Sequence, residues 1–568
     1  MNRNEPSNNF SIVPVAEISR STFDRSSKYT TTFNVGSIIP FYVEEVLPGD
    51  TFSIDTAKVV RLQTPAVPFM DNLYLDTYYF FVPNRLVWNH WINFMGENTE
   101  SAWIPETQYF VPQLKSGLQG FQEGSVADYM GLPTKVPDLS VNALPFRAYA
   151  LICDQWFRDE NLQDPLDIPL SDAAVNYKPF STTVSHVASD YVSGPAYGGL
   201  PYKACKLHDY FTSALPTPQK GPDVTIPLFG SVLPVVTQAD KFDVSGNPPV
   251  HFSSTTGPTL AHTFIDAAFG ADKVSSGGNK GWTLVGLEGS SDPSGTYHDM
   301  APDNLIVDAS AGTMASINAL RLAFQTQKYY EKLARGGSRY IESIKSMFNV
   351  TNPDFRLQRS EYLGGNRLPF NVQQVVQTSA SEAEAVTPIG YTGAQSLTTD
   401  VHSDFTKSFT EHGFIIGVCV ARYHHSYQQG LNRIWSRSST LDYYFPVFAN
   451  IGEQPIYNKE IYATGELTDD EVFGYQEAWS EYRYKPSIVT AEMRSNAHAT
   501  LDYWHFADKY SALPRLSPDW IVEDEKNVDR ALRVQSLVAN QIFVDFYIKC
   551  KATRPMPIFS VPGLIDHH

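Results

Sequence analysis

Residues 30–103 read TTTFNVGSIIPFYVEEVLPGDTFSIDTAKVVRLQTPAVPFMDNLYLDTYYFFVPNRLVWNHWINFMGENTESAW. Phe52, Ile54, Thr56, Lys58, Val60 and Leu62 alternate with Thr51, Ser53, Asp55, Ala57, Val59 and Arg61. That period of two predicts a strand. Pro65 and Pro68 end it. Leu73, Leu75, Thr77, Tyr79 and Phe81 then alternate with Tyr74, Asp76, Tyr78, Phe80 and Val82. Both faces of this second strand are bulky, so both should be covered, as in a sheet packed within a sandwich. Pro83 cannot donate to a ladder and closes the strand. Asn84 then reads as an N-cap. Leu86, His90 and Phe94, with Val87, Trp91 and Met95 beside them, recur every four residues and predict a short helix packed on the strands.

Working outward, Phe414 to Tyr423 (FIIGVCVARY) is a continuous apolar run, read as a strand buried on both faces. A last strand is marked by Ile542, Val544, Phe546, Ile548 and Cys550 on one face, with Phe543, Asp545, Tyr547, Lys549 and Lys551 on the other. Pro145 suits a first helical turn, and Phe146, Tyr149, Cys153, Trp156 and Phe157 follow at helical spacing, predicting a buried amphipathic helix. The tail RPMPIFSVPGLIDHH is extended by its prolines and apolar, so it should dock on its own sandwich or on a neighbour. A chain of 568 residues would ordinarily split into domains. A sandwich whose long loops pack on neighbouring copies escapes that expectation. No run approaches the roughly 18 apolar residues of a membrane span, and MNRNEPSNNF has no signal-peptide core. A cytoplasmic site of synthesis, without membrane insertion, is expected. Cys153, Cys205, Cys419 and Cys550 are scattered and read as reduced, buried thiols.

Charge is distributed unevenly. The net charge of −18 argues against a protein that coats nucleic acid over its whole surface. Residues 221–310 hold eleven glycines and three basic residues against ten acidic ones, and no arginine occurs from 159 to 320. Such a long acidic insertion should be exposed and away from nucleic acid. From Arg321 to Arg367 the balance reverses, with nine basic residues against four acidic. Ile317, Leu320, Phe324 and Gln327 mark one helix, Gly336–Gly337 its stop, and Ser338 the cap of a second helix. Cations such as Lys332, Arg335, Arg339 and Lys345, interleaved with Tyr329, Tyr330, Tyr340 and Phe355, suit single-stranded nucleic acid: charge for phosphate, rings for bases. A solvated helix face, or pairing with an acidic neighbour, is the structural alternative. Lys549, Lys551 and Arg554 could likewise face DNA or solvent. His424 and His425 point to opposite faces of a strand and lack a third ligand at metal spacing, so no metal is expected. Asp159, Glu160 and Asp164, next to Arg158, read as a solvated helix end rather than a cation site.

The run RSTFDRSSKYTTTFNVGSIIPFYVEEVLPGD, continuing through TPAVPFMDNLYLDTYYFFVPNRLVW, closely resembles the N-terminal signature of microvirus major capsid proteins of the gokushovirus type, from small phages with single-stranded DNA genomes. LPFRAYALICDQWFRDENL and PDFRLQRSEYLGG carry the same resemblance. It implies a mainly β fold: an eight-stranded antiparallel jelly-roll sandwich with long inter-strand insertions and a few short helices. It divides the chain into a mobile N-terminal arm over 1–29, strands, helices and loops over 30–220, an insertion over 221–310, and the remaining strands over 311–568 with a basic helical segment at 316–367. Sixty copies would close a T=1 icosahedral shell around a circular single-stranded DNA genome. The arm would lie inside, with Arg3, Arg20, Arg25 and Lys28 near DNA or a neighbouring subunit. The insertion would form protrusions at the threefold axes that contact a host surface receptor, with Phe242, His251, Phe252, Phe264, Phe269, Trp282 and Tyr297 as candidate contacts. An internal scaffolding protein, a pilot protein and a small basic DNA-binding protein are the other implied partners.

No GxSxG, HExxH, P-loop or GxGxxG is present, and no carboxylate spacing singles out an acid/base pair. A structural protein without catalytic residues or cofactors is expected. The competing class is a β-sandwich glycan-binding or glycan-active protein, supported by the aromatic content and acidic loops.

Overall fold

The computed structural model describes residues 19–98, 107–181, 186–222, 224, 317–337, 339–379 and 389–559, with six short strands between 235 and 307. The chain divides into two compact units, residues 1–220 with 331–568, and residues 221–330.

The larger unit is built on nine strands: β1 (Ser21–Asp24), β2 (Ser27–Phe33), β3 (Ile39–Val46), β4 (Thr51–Leu62), β5 (Leu73–Pro83), β6 (Glu361–Pro369), β7 (Thr398–Ser408), β8 (Gly413–Tyr423) and β9 (Ile542–Arg554). They form two antiparallel sheets. In one, β9 pairs with both β1 and β2 on one side and with β4 on the other, and β7 follows β4. In the other the order is β6–β5–β8–β3. From β2 to β5 and from β6 to β9 the chain crosses between the sheets at each step, while β1 and β2 share one sheet and β5 and β6 pair within the other.

The alternation in the sequence decides what fills the space between them. Phe52, Ile54 and Val60 of β4 and Phe546 and Ile548 of β9 share one buried cluster with Tyr79 and Phe81 of β5 and Ile415 of β8. Phe41 stacks on Phe546 with ring centroids 4.4 Å apart. Each such side chain contributes roughly 1.5–3 kcal/mol by leaving water. The opposite face of β5 and β8 is covered as well: Phe80, Val82, Ile416 and Val418 belong to a second cluster with Trp88, Phe146 and Tyr149. Both expectations for these strands are met. The covering layer is led by α1 (Leu144–Ile152), with Pro145 in its first turn, and the Tyr149 hydroxyl donates to the Ile38 carbonyl at 2.7 Å. Lys58 is the one charged residue on the inward face of β4. It is fully buried, and its ammonium donates to Thr77 Oγ1 at 3.0 Å with Asp400 at 3.6 Å. The four cysteines are buried and unpaired.

Three local expectations change. Residues 21–24 and 27–33 are sheet strands rather than part of an arm, because their alternating residues pair with β9, and residues 1–18 lie outside the described residues. The helix expected after Pro83 is only a 3-10 turn, Asn84–Leu86, and a single turn, Trp91–Phe94. The Asn84 side chain caps neither; instead Trp88 is fully buried and its indole donates to Asp172 at 2.6 Å, which takes the backbone off a helical course. In the basic segment the helices are α2 (Ile317–Gly336) and α3 (Tyr340–Phe348); Arg339 is the N-cap of α3, its N–H donating to Glu342 at 3.2 Å, and the expected cap Ser338 lies outside the described residues. Gly337, at φ +91°, breaks the chain between them. Ile558 and Phe559 of the tail are exposed on this chain, which leaves the other expectation for the tail, docking on a neighbour.

In the smaller unit, Phe252–Ser254, Tyr297–Pro302, Thr283–Leu287 and Ala268–Gly270 make a four-stranded antiparallel sheet in that order. Val235–Thr237 pairs with Leu305–Val307.

Candidate nucleic-acid face and charged cleft

Among the described residues, one sheet of the sandwich has a covered outer face and the other does not. On β9 the inward residues are buried, while Phe543, Tyr547, Lys549 and Lys551 are exposed. Register places Lys28 of β2 opposite Tyr547, Asp55 of β4 opposite Lys549, and Arg61 opposite Phe543. The face is otherwise dressed in short hydroxyl residues that bond across strands: Thr51 with Ser408 at 2.7 Å, Ser53 with Thr406 at 2.9 Å, Thr22 with Thr553 at 2.8 Å. Lys28 lies 3.1 Å from Asp545, and Lys549 lies 3.6 Å from Asp55. Both pairs are solvated, hence worth at most about 1 kcal/mol and readily exchanged for another anion. Lys551 has no ion pair among the described residues. Asp24, opposite it on β1, is held below the usual carboxylate range by the Ser26 hydroxyl. Four cations (Lys28, Arg61, Lys549, Lys551) stand against Asp24, Asp55 and Asp545, and Tyr547 and Phe543 offer ring surface beside them.

The basic segment behaves differently. Arg335, Arg339 and Lys345 line an open cleft of about 830 Å³ with Arg158, but so do Asp159, Glu160, Glu342, Glu453 and Glu477. Arg339 Nε lies 2.6 Å from Glu160, and its other nitrogens donate to the carbonyls of Asp154 and Arg158 at 3.1 and 3.3 Å. Arg335 donates to Glu453 and lies 3.5 Å from Glu477. Burial pushes the Glu453 carboxyl up, and Arg335 only partly offsets it. The charge of Arg335 and Arg339 is thus balanced by carboxylates from distant segments. Lys332 and Lys345 are exposed without an ion pair among the described residues.

The other candidates separate along the same line. Arg25 and Arg554 converge on Glu44 at 2.8 and 3.2 Å, and Arg554 also donates to the Glu45 carbonyl at 2.7 Å, tying the end of β9 to the end of β3. Arg20 is exposed, and Arg3 lies outside the described residues. Asp159 is occupied by the N–H groups of Asn161 and Leu162, and Glu160 by Arg339. Of the candidate attachment residues, Phe252, Phe269 and Tyr297 fall in strands of the smaller unit's sheet, whereas Phe242, His251, Phe264 and Trp282 lie outside the described residues.

One cluster had no signature in the sequence. His425 is buried between Asp508 at 2.9 Å from Nδ1 and Glu523 at 3.1 Å from Nε2. Asn527 and the Tyr510 hydroxyl donate to Asp508 at 2.6 and 2.8 Å, and the Lys206 ammonium lies 3.8 Å from it. Burial alone would lower the histidine pKa, but the two carboxylates raise it to about 10, so the imidazolium donates from both nitrogens. Asp508 is held well below the usual range: burial opposes this, and His425 and Lys206 overcome it. The cluster joins the end of β8 to residues 206, 508 and 523. It is a structural rivet. His424 faces the other way, against Tyr74.

The family model described as "Capsid protein (F protein)" matches residues 11–564. The chain is 42% identical to "Capsid protein VP1" of Chlamydia phage 1, with 98% of each chain covered. It is 41% identical to "Capsid protein VP1" of Spiroplasma virus 4 and 39% identical to that of Bdellovibrio phage phiMH2K, in both cases over 98% of this chain and 97% of the relative. The chain belongs to the F-protein family of microvirus capsid proteins, gokushovirus type.

Proposed function

We propose that sixty copies of this chain assemble into a T=1 icosahedral shell around a circular single-stranded DNA genome, with the uncovered sheet face of β1, β2, β9, β4 and β7 turned toward the DNA. The observation that carries the second half is the gathering of Lys28, Lys549 and Lys551 beside Tyr547 and Phe543 on an outer sheet face that no other layer covers among the described residues. Weakly held ammonium groups exchange a carboxylate for a phosphate at little cost, and exposed rings stack on unpaired bases without regard to sequence. The strand order supports reading the sandwich as a jelly roll: two antiparallel four-position sheets, with β5 and β6 paired in one and the chain crossing between the sheets at the steps from β2 to β5 and from β6 to β9.

In this reading the acidic insertion at 221–310 protrudes from the shell and contacts the host receptor. Assembly proceeds in the bacterial cytoplasm with an internal scaffolding protein. A pilot protein and a small basic DNA-binding protein complete the particle. The test is the triple substitution of Lys28, Lys549 and Lys551 by Glu. Particles should form with at least severalfold less nuclease-protected DNA. Unchanged DNA content would refute the genome-facing assignment of the sheet.

A further inference from the structure

A long loop of the larger unit presents large apolar side chains outward in a fixed arrangement. Ile434, Trp435, Leu441, Tyr443, Phe445 and Val447 are all exposed, Trp435 at 74%, Leu441 at 69% and Val447 at 84%. These are not side chains of a slack segment. Three 3-10 turns, Arg433–Trp435, Thr440–Asp442 and Pro446–Asn450, shape the loop. The Asn432 side chain caps the first, and the Asp442 carboxylate accepts from the N–H groups of Ser438 and Ser439 at 2.8 and 2.7 Å. From beneath, Trp479 donates to the Phe448 carbonyl at 3.1 Å, and the nearly buried Arg437–Glu481 pair, 3.1 Å apart, sits under the rings of Tyr443 and Tyr482.

We infer that this aromatic shelf, centred on Trp435, is a contact between copies of the chain in the shell. The inference rests on the shell reading above and adds the surface that makes it. Two arguments favour a second copy over other occupants. The first is size. At roughly 150–250 Å² per large side chain, the exposed part of the six residues comes to on the order of 700 Å², close to the ~800 Å² each partner buries in a stable protein interface. Soluble monomers rarely leave so large an apolar patch in water. The second is charge. Arg433 lies 3.5 Å from Glu460 and Arg437 is spent on Glu481, so the shelf offers no free cation for phosphate and matches a similarly apolar protein surface. Because its turns and ion pair hold it in place, little conformational entropy is lost on docking.

The test compares wild type, Trp435→Asp and Trp435→Phe, each expressed with the scaffolding protein, by sedimentation and electron microscopy. Trp435→Asp should give at least tenfold fewer shells and a soluble protomer with wild-type circular dichroism and melting temperature, while Trp435→Phe should assemble. In wild-type shells the Trp435 ring should be protected from hydroxyl-radical oxidation at least fivefold relative to the free protomer, a readout independent of whether the Asp variant folds. Normal shell yield for Trp435→Asp, or an equally oxidised Trp435 in shells and protomers, overturns the shelf while leaving the shell intact. Normal shells that fail only to adsorb to host cells overturn it too, assigning the shelf to a host surface. A wild-type chain that forms no shells under these conditions refutes the shell reading itself.

Discussion

Replacing His425 by Gln removes the charge at the centre of the buried rivet and leaves Asp508 and Glu523 facing each other, with Lys206, 3.8 Å from Asp508, as the cation beside them among the described residues. The pKa of about 10 sits above the usual 6.5. A shift of that size, at about 1.4 kcal/mol per unit, contributes on the order of 5 kcal/mol below pH 6.5. The sign is that of a raised base. The contribution is complete below the unfolded pKa, is still roughly 3 kcal/mol near pH 7.5, and disappears as pH rises through 10. Breaking a buried pair by deleting one partner costs ~3–5 kcal/mol in its own right, which agrees. Urea unfolding of the free protomer, followed by tryptophan fluorescence from pH 6 to 10, measures both. Wild type should lose stability with rising pH at a slope approaching one proton, about 1.4 kcal/mol per unit. His425→Gln should start several kcal/mol lower and lack that slope. A variant within about 1 kcal/mol of wild type at pH 7, or one that keeps the alkaline slope, would show that the imidazole is neutral and the rivet is not ionic.

Charge reversal at Lys28, Lys549 and Lys551 should lower packaged DNA per particle severalfold, measured by absorbance ratio after nuclease treatment. Arg339→Ala, in contrast, should cost the protomer roughly 1–3 kcal/mol, since it strips a charged hydrogen-bond donor from Glu160 and two carbonyls, yet leave DNA per particle unchanged. Gly365→Ala should destabilise by at least ~1–3 kcal/mol, because its Cβ would lie 2.1 Å from the Thr77 carbonyl oxygen across the β5–β6 ladder, and a melting curve reads the loss. Deleting residues 240–300 should leave assembly intact and abolish adsorption to the host, scored by particle yield and cell binding.

What the sequence showed and what it hid divide by range. Leu73–Pro83 and Gly413–Tyr423 read as strands covered on both sides because a period of two with two bulky faces has one packing solution, and the two clusters bear this out. The outward Lys549 and Lys551 were legible for the same reason: alternation fixes the face. For the segment 321–367 the sequence left phosphate contact and pairing with acidic groups both open, and it could not show that Arg335 and Arg339 are paired within the chain. Glu160, Glu453 and Glu477 arrive from more than a hundred residues away to neutralise Arg335 and Arg339. The His425 rivet is hidden in the same manner, its partners lying 83 and 98 residues downstream. The short helix after Pro83 was lost to one tertiary bond, Trp88 to Asp172, that outweighs a weak four-residue periodicity.

The central claim is that this chain builds a DNA-filled shell. Electron microscopy of particles purified from cells expressing the chain with its scaffolding protein and genome, with nuclease-protected DNA assayed on the same fractions, tests it most directly. Uniform small icosahedral particles of one size, each carrying circular single-stranded DNA, are expected. A chain that stayed a dispersed protomer with scaffold present, or shells that never held DNA, would contradict it.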